Sequence, residues 1–105
     1  MVPTEMLTAS VENDAGGSIV LHFAGEIDIA AREPVAAAIR VVLDCRPTQV
    51  TVDLEHVRFC DSHGMRNLID VATACANARV PCRLVGAQPN VRHAFELLAL
   101  DGMLS

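Results

Sequence analysis

Val50-Thr51-Val52-Asp53-Leu54, followed shortly by Phe59-Cys60-Asp61-Ser62-His63-Gly64-Met65, decides the reading of this chain. In the first segment Val50, Val52 and Leu54 point one way and Thr51 and Asp53 the other, the period of a strand with one buried face. After Gly64 the apolar residues Met65, Leu68, Ile69, Ala72 and Ala76 recur at helical spacing, predicting a helix to about Ala78. A serine therefore stands where a strand-to-loop connection becomes a helix. Its hydroxyl is expected at the surface, facing a helix amino terminus, with Gly64 offering no side chain to obstruct a partner. Asp61 and Ser62 are both good helix caps, so either can hold the N-cap, with Ser62 then in the first turn.

Working outward, Met6 to Val11 reads as a first strand and Ser18 to Ala24 as a second, with Ile19, Leu21 and Phe23 on one face. Asn13-Asp14-Ala15-Gly16-Gly17 between them is a turn, so the pair should be an antiparallel hairpin. Gly25-Glu26-Ile27-Asp28 ends the second strand. A helix is predicted from about Ala30 to Asp44, with Val35, Ala38, Ile39 and Val42 inward; Pro34 falls in its first turn, where a missing N–H costs little. The third strand is Gln49 to Leu54. Val80-Pro81 breaks the chain before a short strand, Cys82 to Gly86. Pro89 opens a last helix with Val91, Ala94, Phe95 and Leu98 as its stripe, and Leu100 to Ser105 is a short tail. The order β-β-α-β-α-β-α predicts an α/β domain over residues 1–105. Its sheet should be mixed and four-stranded, with helices mainly on one face.

Composition narrows the function. The chain of 105 residues is 51% hydrophobic and only 3% aromatic, which leaves an aliphatic core and no stacking platform for bases. The three Phe each sit in an apolar pattern. A net charge of −5, with Arg as the sole cationic side chain and no Lys, argues against tracking a nucleic-acid backbone. Cys45, Cys60, Cys75 and Cys82 form no Cys-x-x-Cys pair and lie in apolar settings, so a zinc site is not expected and the thiols should be reduced. Asp61 beside Cys60 disfavours the thiolate and so a redox-sensing role. Met1 to Ser10 has no basic start or apolar run, and no segment is long and uncharged enough for a bilayer span. A cytoplasmic protein without membrane, metal or cofactor is expected.

An enzyme is not expected either. Asp61, Ser62 and His63 are contiguous, so their side chains diverge and cannot form a proton relay. The loop also lacks Gly-x-Ser-x-Gly. His22, His56 and His93 fall on separate elements and read as polar surface or sheet-face residues. Arg66, Asn67, Asp70 and Asn77 read as a solvated helix face, with Arg66 and Asn67 near enough to Ser62 to assist docking.

Taken together, these residues resemble a STAS domain, the sulphate-transporter and anti-sigma-factor-antagonist fold, and most of all the stand-alone bacterial anti-sigma factor antagonists. The resemblance runs through Phe23-Ala24-Gly25-Glu26-Ile27-Asp28, Val52-Asp53-Leu54 and Phe59 to Met65. It continues through Arg83-Leu84-Val85-Gly86, Pro89, Val91 and Phe95 to Leu100. It implies partner switching: an anti-sigma factor that is a serine kinase binds the unmodified protein, phosphorylates it and lets go, and a serine phosphatase restores it. It implies Ser62 as the phosphoacceptor and Asp28 as a kinase contact, though Asp28 is equally suited to capping the helix after it. Asp61, His63, Gly64, Met65 and Arg66 complete the implied docking loop. His63 stands where many members have Ser or Thr, which leaves Ser62 as the only hydroxyl there. The protein is expected as a monomer or weak dimer. The alternative is a STAS subunit that is never phosphorylated and docks within a lipid-transport or signalling assembly.

Overall fold

The structure, a computed structural model, describes residues 7–105. Strands β1 (Leu7–Asn13) and β2 (Ser18–Ile27) form the hairpin; α1 (Arg32–Asp44), β3 (Gln49–Cys60), α2 (Ser62–Asn77), β4 (Cys82–Val85) and α3 (Pro89–Leu97) follow. Met6, assigned to the first strand from sequence, lies outside the described residues. The sheet order is β1-β2-β3-β4. β1 runs antiparallel to β2, whereas β2/β3 and β3/β4 are parallel, as helical crossovers require. At the hairpin turn Gly16 and Gly17 take φ of 82° and 84°, a region that side chains disfavour.

Along β2 the residues alternate between buried and half-buried. Ile19, Leu21, Phe23 and Ile27 join Val50, Val52, Leu54 and Val57 of β3 in one core. Onto that face pack Val35, Ile39 and Val42 of α1, Leu68, Val71 and Cys75 of α2, and Val91 and Phe95 of α3. Each such side chain contributes about 1.5–3 kcal/mol when fully buried. The opposite face carries Ser18, Val20, His22, Thr51 and Asp53, all half-buried. There His22 bridges three strands: Nδ1 meets Asp53 Oδ2 at 2.7 Å and Nε2 meets Glu12 Oε1 at 2.8 Å.

The elements differ from expectation in instructive places. β3 does not stop at Leu54 but continues to Cys60, and β2 continues to Ile27. The register slips between His22 and Ala24 and again between Gly25 and Glu26, so β3 carries two additional residues against β2. Beyond Leu54 only Val57 and Cys60 are buried, and this broken alternation hides the strand from a period-two reading. The buried residues of α2 are Gly64, Met65, Asn67, Leu68, Val71 and Cys75, a stripe turned from the Ile69, Ala72, Ala76 line. Residues Ile29–Ala31 form a separate 3-10 turn ahead of α1. Leu98 is exposed because α3 ends one residue before it. Cys45 and Phe59 are exposed, contrary to their apolar reading. The tail forms a turn at Asp101–Met103 and bridges β4 through Leu104 and Leu84. Among the described residues no helix is long and apolar enough to cross a membrane.

Candidate functional site at the carboxyl ends of the central strands

Because β2 and β3 are parallel and end level, with Ile27 opposite Cys60, the segments that leave them emerge side by side. Ligand and partner sites in α/β sheets tend to gather at this end. After Cys60, Asp61 is the N-cap: its backbone is extended, and its Oδ1 accepts the Gly64 N–H at 2.8 Å. Ser62 is accordingly the first helical residue, and it is exposed. Its N–H is among those a helix leaves free at its start.

Gly64 has a different role from the one read in the sequence. A Cβ there would stand 1.8 Å from the Ile27 carbonyl oxygen. The missing side chain lets the first turn of α2 rest on the end of β2; it does not clear a path for a partner. Met65 is 2% exposed and belongs to the core. Both residues, expected among the docking contacts, are buried beneath the loop.

Asp28 is half-exposed on the adjoining segment, and its Oδ1 accepts the Ala30 N–H at 2.9 Å, holding the 3-10 turn. The Asp28 carbonyl oxygen accepts a bond from Asn67 Nδ2 at 3.0 Å. Asn67 is 4% exposed, so it is not part of a solvated face. It ties the second turn of α2 to the Asp28 segment and fixes the two loops relative to each other. The signal was a polar residue between Arg66 and Leu68 on the inward side of the helix, legible only once the stripe is centred on Leu68.

Around Ser62 the surface is mixed. Ile29, in the 3-10 turn after Asp28, is 65% exposed, and Phe59, two residues before Asp61, is 45% exposed. His63 and Arg66 are exposed on α2. Arg58 approaches Glu26 at 4.0 Å. A cavity of about 250 Å³ opens beside His63 and Arg66, lined also by Ile29, Arg32, Asn67 and Asp70. Beneath the loop, burial and then the Asp61 charge push the Cys60 thiol up to about 12, so it stays protonated near neutrality. Among the described residues no imidazole or carboxylate hydrogen-bonds the Ser62 hydroxyl.

The STAS domain family model matches residues 8–104, and the chain belongs to that family. An anti-sigma factor antagonist from Mycobacterium paratuberculosis superposes with TM-score 0.80 at 26% identity, over 99% of this chain and 87% of that one. The anti-sigma factor antagonist SpoIIAA in its unphosphorylated form gives TM-score 0.76 at 21% identity, over 93% and 86% of the two chains. The Bacillus cell fate determinant SpoIIAA in its phosphorylated form gives TM-score 0.69 at 20% identity, over 93% and 89%. A comparison with curated protein sequences finds no match.

Proposed function

We propose that this protein is an anti-sigma factor antagonist that works by partner switching. Unmodified, it binds an anti-sigma factor that is a serine kinase; phosphorylated at Ser62, it is released; a serine phosphatase returns it to the binding form. The observation that carries the reading is Ser62 itself, exposed at the first position of a helix capped by Asp61 and level with the Asp28 segment. Support also comes from SpoIIAA, a protein of this fold described in both unphosphorylated and phosphorylated forms. Asp28, Asp61, Ser62, His63 and Arg66 form the docking surface, and Gly64 and Met65 hold it in shape. On this reading the protein acts in the cytoplasm, without membrane or nucleic acid, as a monomer or weak dimer. It catalyses nothing itself.

In the transfer, Ser62 Oγ forms a bond to the γ-phosphorus of the kinase's ATP as the bond to the bridging oxygen breaks. ADP leaves, and the hydroxyl proton passes to a base of the kinase. The product carries about 1.5 to 2 added negative charges. The helix amino terminus offsets roughly 0.3–1 kcal/mol of that, so the fold tolerates it. Docking does not, because stripping water from the phosphate against a partner that offers it no counter-charge costs several kcal/mol, of order 3–5. About 1.4 kcal/mol is tenfold in affinity, so one phosphate suffices to abolish binding.

The test is to mix the protein with a serine-kinase anti-sigma factor and ATP and follow intact mass and binding. One phosphate should be added, and none to Ser62→Ala. Ser62→Ala should keep binding the kinase, while Ser62→Asp should fold normally and bind at least tenfold more weakly. A kinase that binds both variants equally overturns the switch, and stable docking without any phosphate gain supports a purely structural STAS subunit.

A further inference from the structure

The cavity beside the loop has a charge that the rest of the molecule does not. Arg32 opens α1 and Arg66 lies in the second turn of α2, and both line the same space of about 250 Å³ with His63 and a single carboxylate, Asp70. The whole chain has a net charge of −5. Among the described residues the ion pairs involve Glu12, Glu26, Asp53, Glu55 and Glu96, and none of them includes Arg32, Arg66 or Asp70. Arg32 and Arg66, both exposed and from different helices, thus line one space in which Asp70 is the single carboxylate. Two planar forks offer more donors than one carboxylate can accept, which leaves donors for an anion with several oxygens such as a phosphate. Asn67, which also lines the cavity, has its amide committed to the Asp28 carbonyl oxygen.

Ser62 and Arg66 are four apart on α2, hence neighbours on its surface. The Asp61 carboxylate next to Ser62 accepts the Gly64 N–H and is not among the residues that line the cavity. We propose that this cavity receives the phosphate of phosphorylated Ser62, with Arg66 and Arg32 each taking phosphate oxygens and His63 closing the near side. The inference rests on Ser62 being the phosphoacceptor. It adds a second consequence to phosphorylation. The modification introduces charge, and it also withdraws Arg66 from the docking surface. A phosphatase must first lift the phosphate out of the clamp.

The experiment uses the full chain with phosphoserine installed at position 62 by genetic encoding, so it needs no kinase. Titration by phosphorus NMR reads the second ionisation of the phosphate. In the unsubstituted protein it should fall below the ordinary value of about 6 by about half a unit or more. R66Q and R32Q should each return it towards that value, and R40Q, on α1 but outside this cavity, should leave it where it was. The Arg32 and Arg66 Nε–H resonances of the unsubstituted phosphoprotein should move as the phosphate ionises, a readout independent of any substitution. Identical titration of unsubstituted protein, R66Q and R32Q, with still arginine resonances, overturns the clamp; so does an equal effect of R40Q, which marks a general field. Failure of a kinase to modify Ser62 is a separate result that strikes the phosphoacceptor reading and leaves these curves standing.

Discussion

Gly64 is the residue on which the loop ahead of α2 depends, because a single methyl there collides with the Ile27 carbonyl oxygen. Gly64→Ala must push α2 off the end of β2 or distort the cap at Asp61. We expect a loss of about 2–3 kcal/mol, in the range of core overpacking, read as a lower denaturant midpoint or melting temperature. His22 sets the pH response. Hydrogen bonds to Glu12 and then Asp53, joined by their charges, raise its pKa above the usual 6.5 despite some burial. Its stabilisation is therefore complete below about pH 6.5 and is lost as pH rises through the raised folded value. Burial pushes the Asp53 carboxyl up, but the Glu55 N–H and His22 outweigh it and hold the group below its usual 3.8. That contribution is present above pH 3.8 and fades as pH falls through the lowered value. His22→Gln should flatten the alkaline limb of a stability-against-pH curve measured by urea unfolding, and an unchanged limb would assign the loss to other groups.

At the scale of the elements, each of the three helices is followed closely by a residue in the left-handed region that is not glycine: Arg46 at φ 52°, Arg79 at 60° and Ala99 at 58°. Helix ends favour glycine in this conformation, since a Cβ there is strained by roughly 1–2 kcal/mol. Ala99→Gly should therefore raise stability by about 0.5–1 kcal/mol, checked by thermal melting, after allowing for the added freedom of the unfolded chain. The same substitution pattern explains part of what sequence reading could reach. Where a stop signal existed, as at Arg46-Pro47 and Val80-Pro81, the elements were legible. Where the stop was a bare alanine, α3 and its stripe were drawn a residue too long at Leu98. Alternation revealed β2 and the first half of β3. The second half of β3, from Glu55 to Cys60, follows no simple period, because its inward residues are set by bulges against β2.

For the whole molecule, the arrangement of strand ends matters more than any one side chain. Asp61 and Ser62 were legible because their chemistry is local: a cap and a hydroxyl beside it. Asn67 was not, since its partner, the Asp28 carbonyl, is distant in sequence and nearby only after the sheet has formed. Gly64 was visible but misread for the same reason, its neighbour being Ile27. Asn67→Ala should leave that carbonyl unsatisfied, costing about 1–3 kcal/mol. It should also loosen the Asp28 segment against α2, so affinity for the proposed anti-sigma factor partner should fall further than stability alone accounts for; comparing binding with unfolding for this variant and for Ala99→Gly separates the two effects.

The two surplus residues of β3 act as a ruler. They bring Cys60 level with Ile27 despite the longer path, so the hydroxyl-bearing turn arrives at the same height as its neighbour. Removing one residue between Glu55 and Arg58 would shorten that reach by about 3.3 Å and invert which side chains face inward. Length in this stretch should therefore tolerate change far less than its exposed, polar composition suggests.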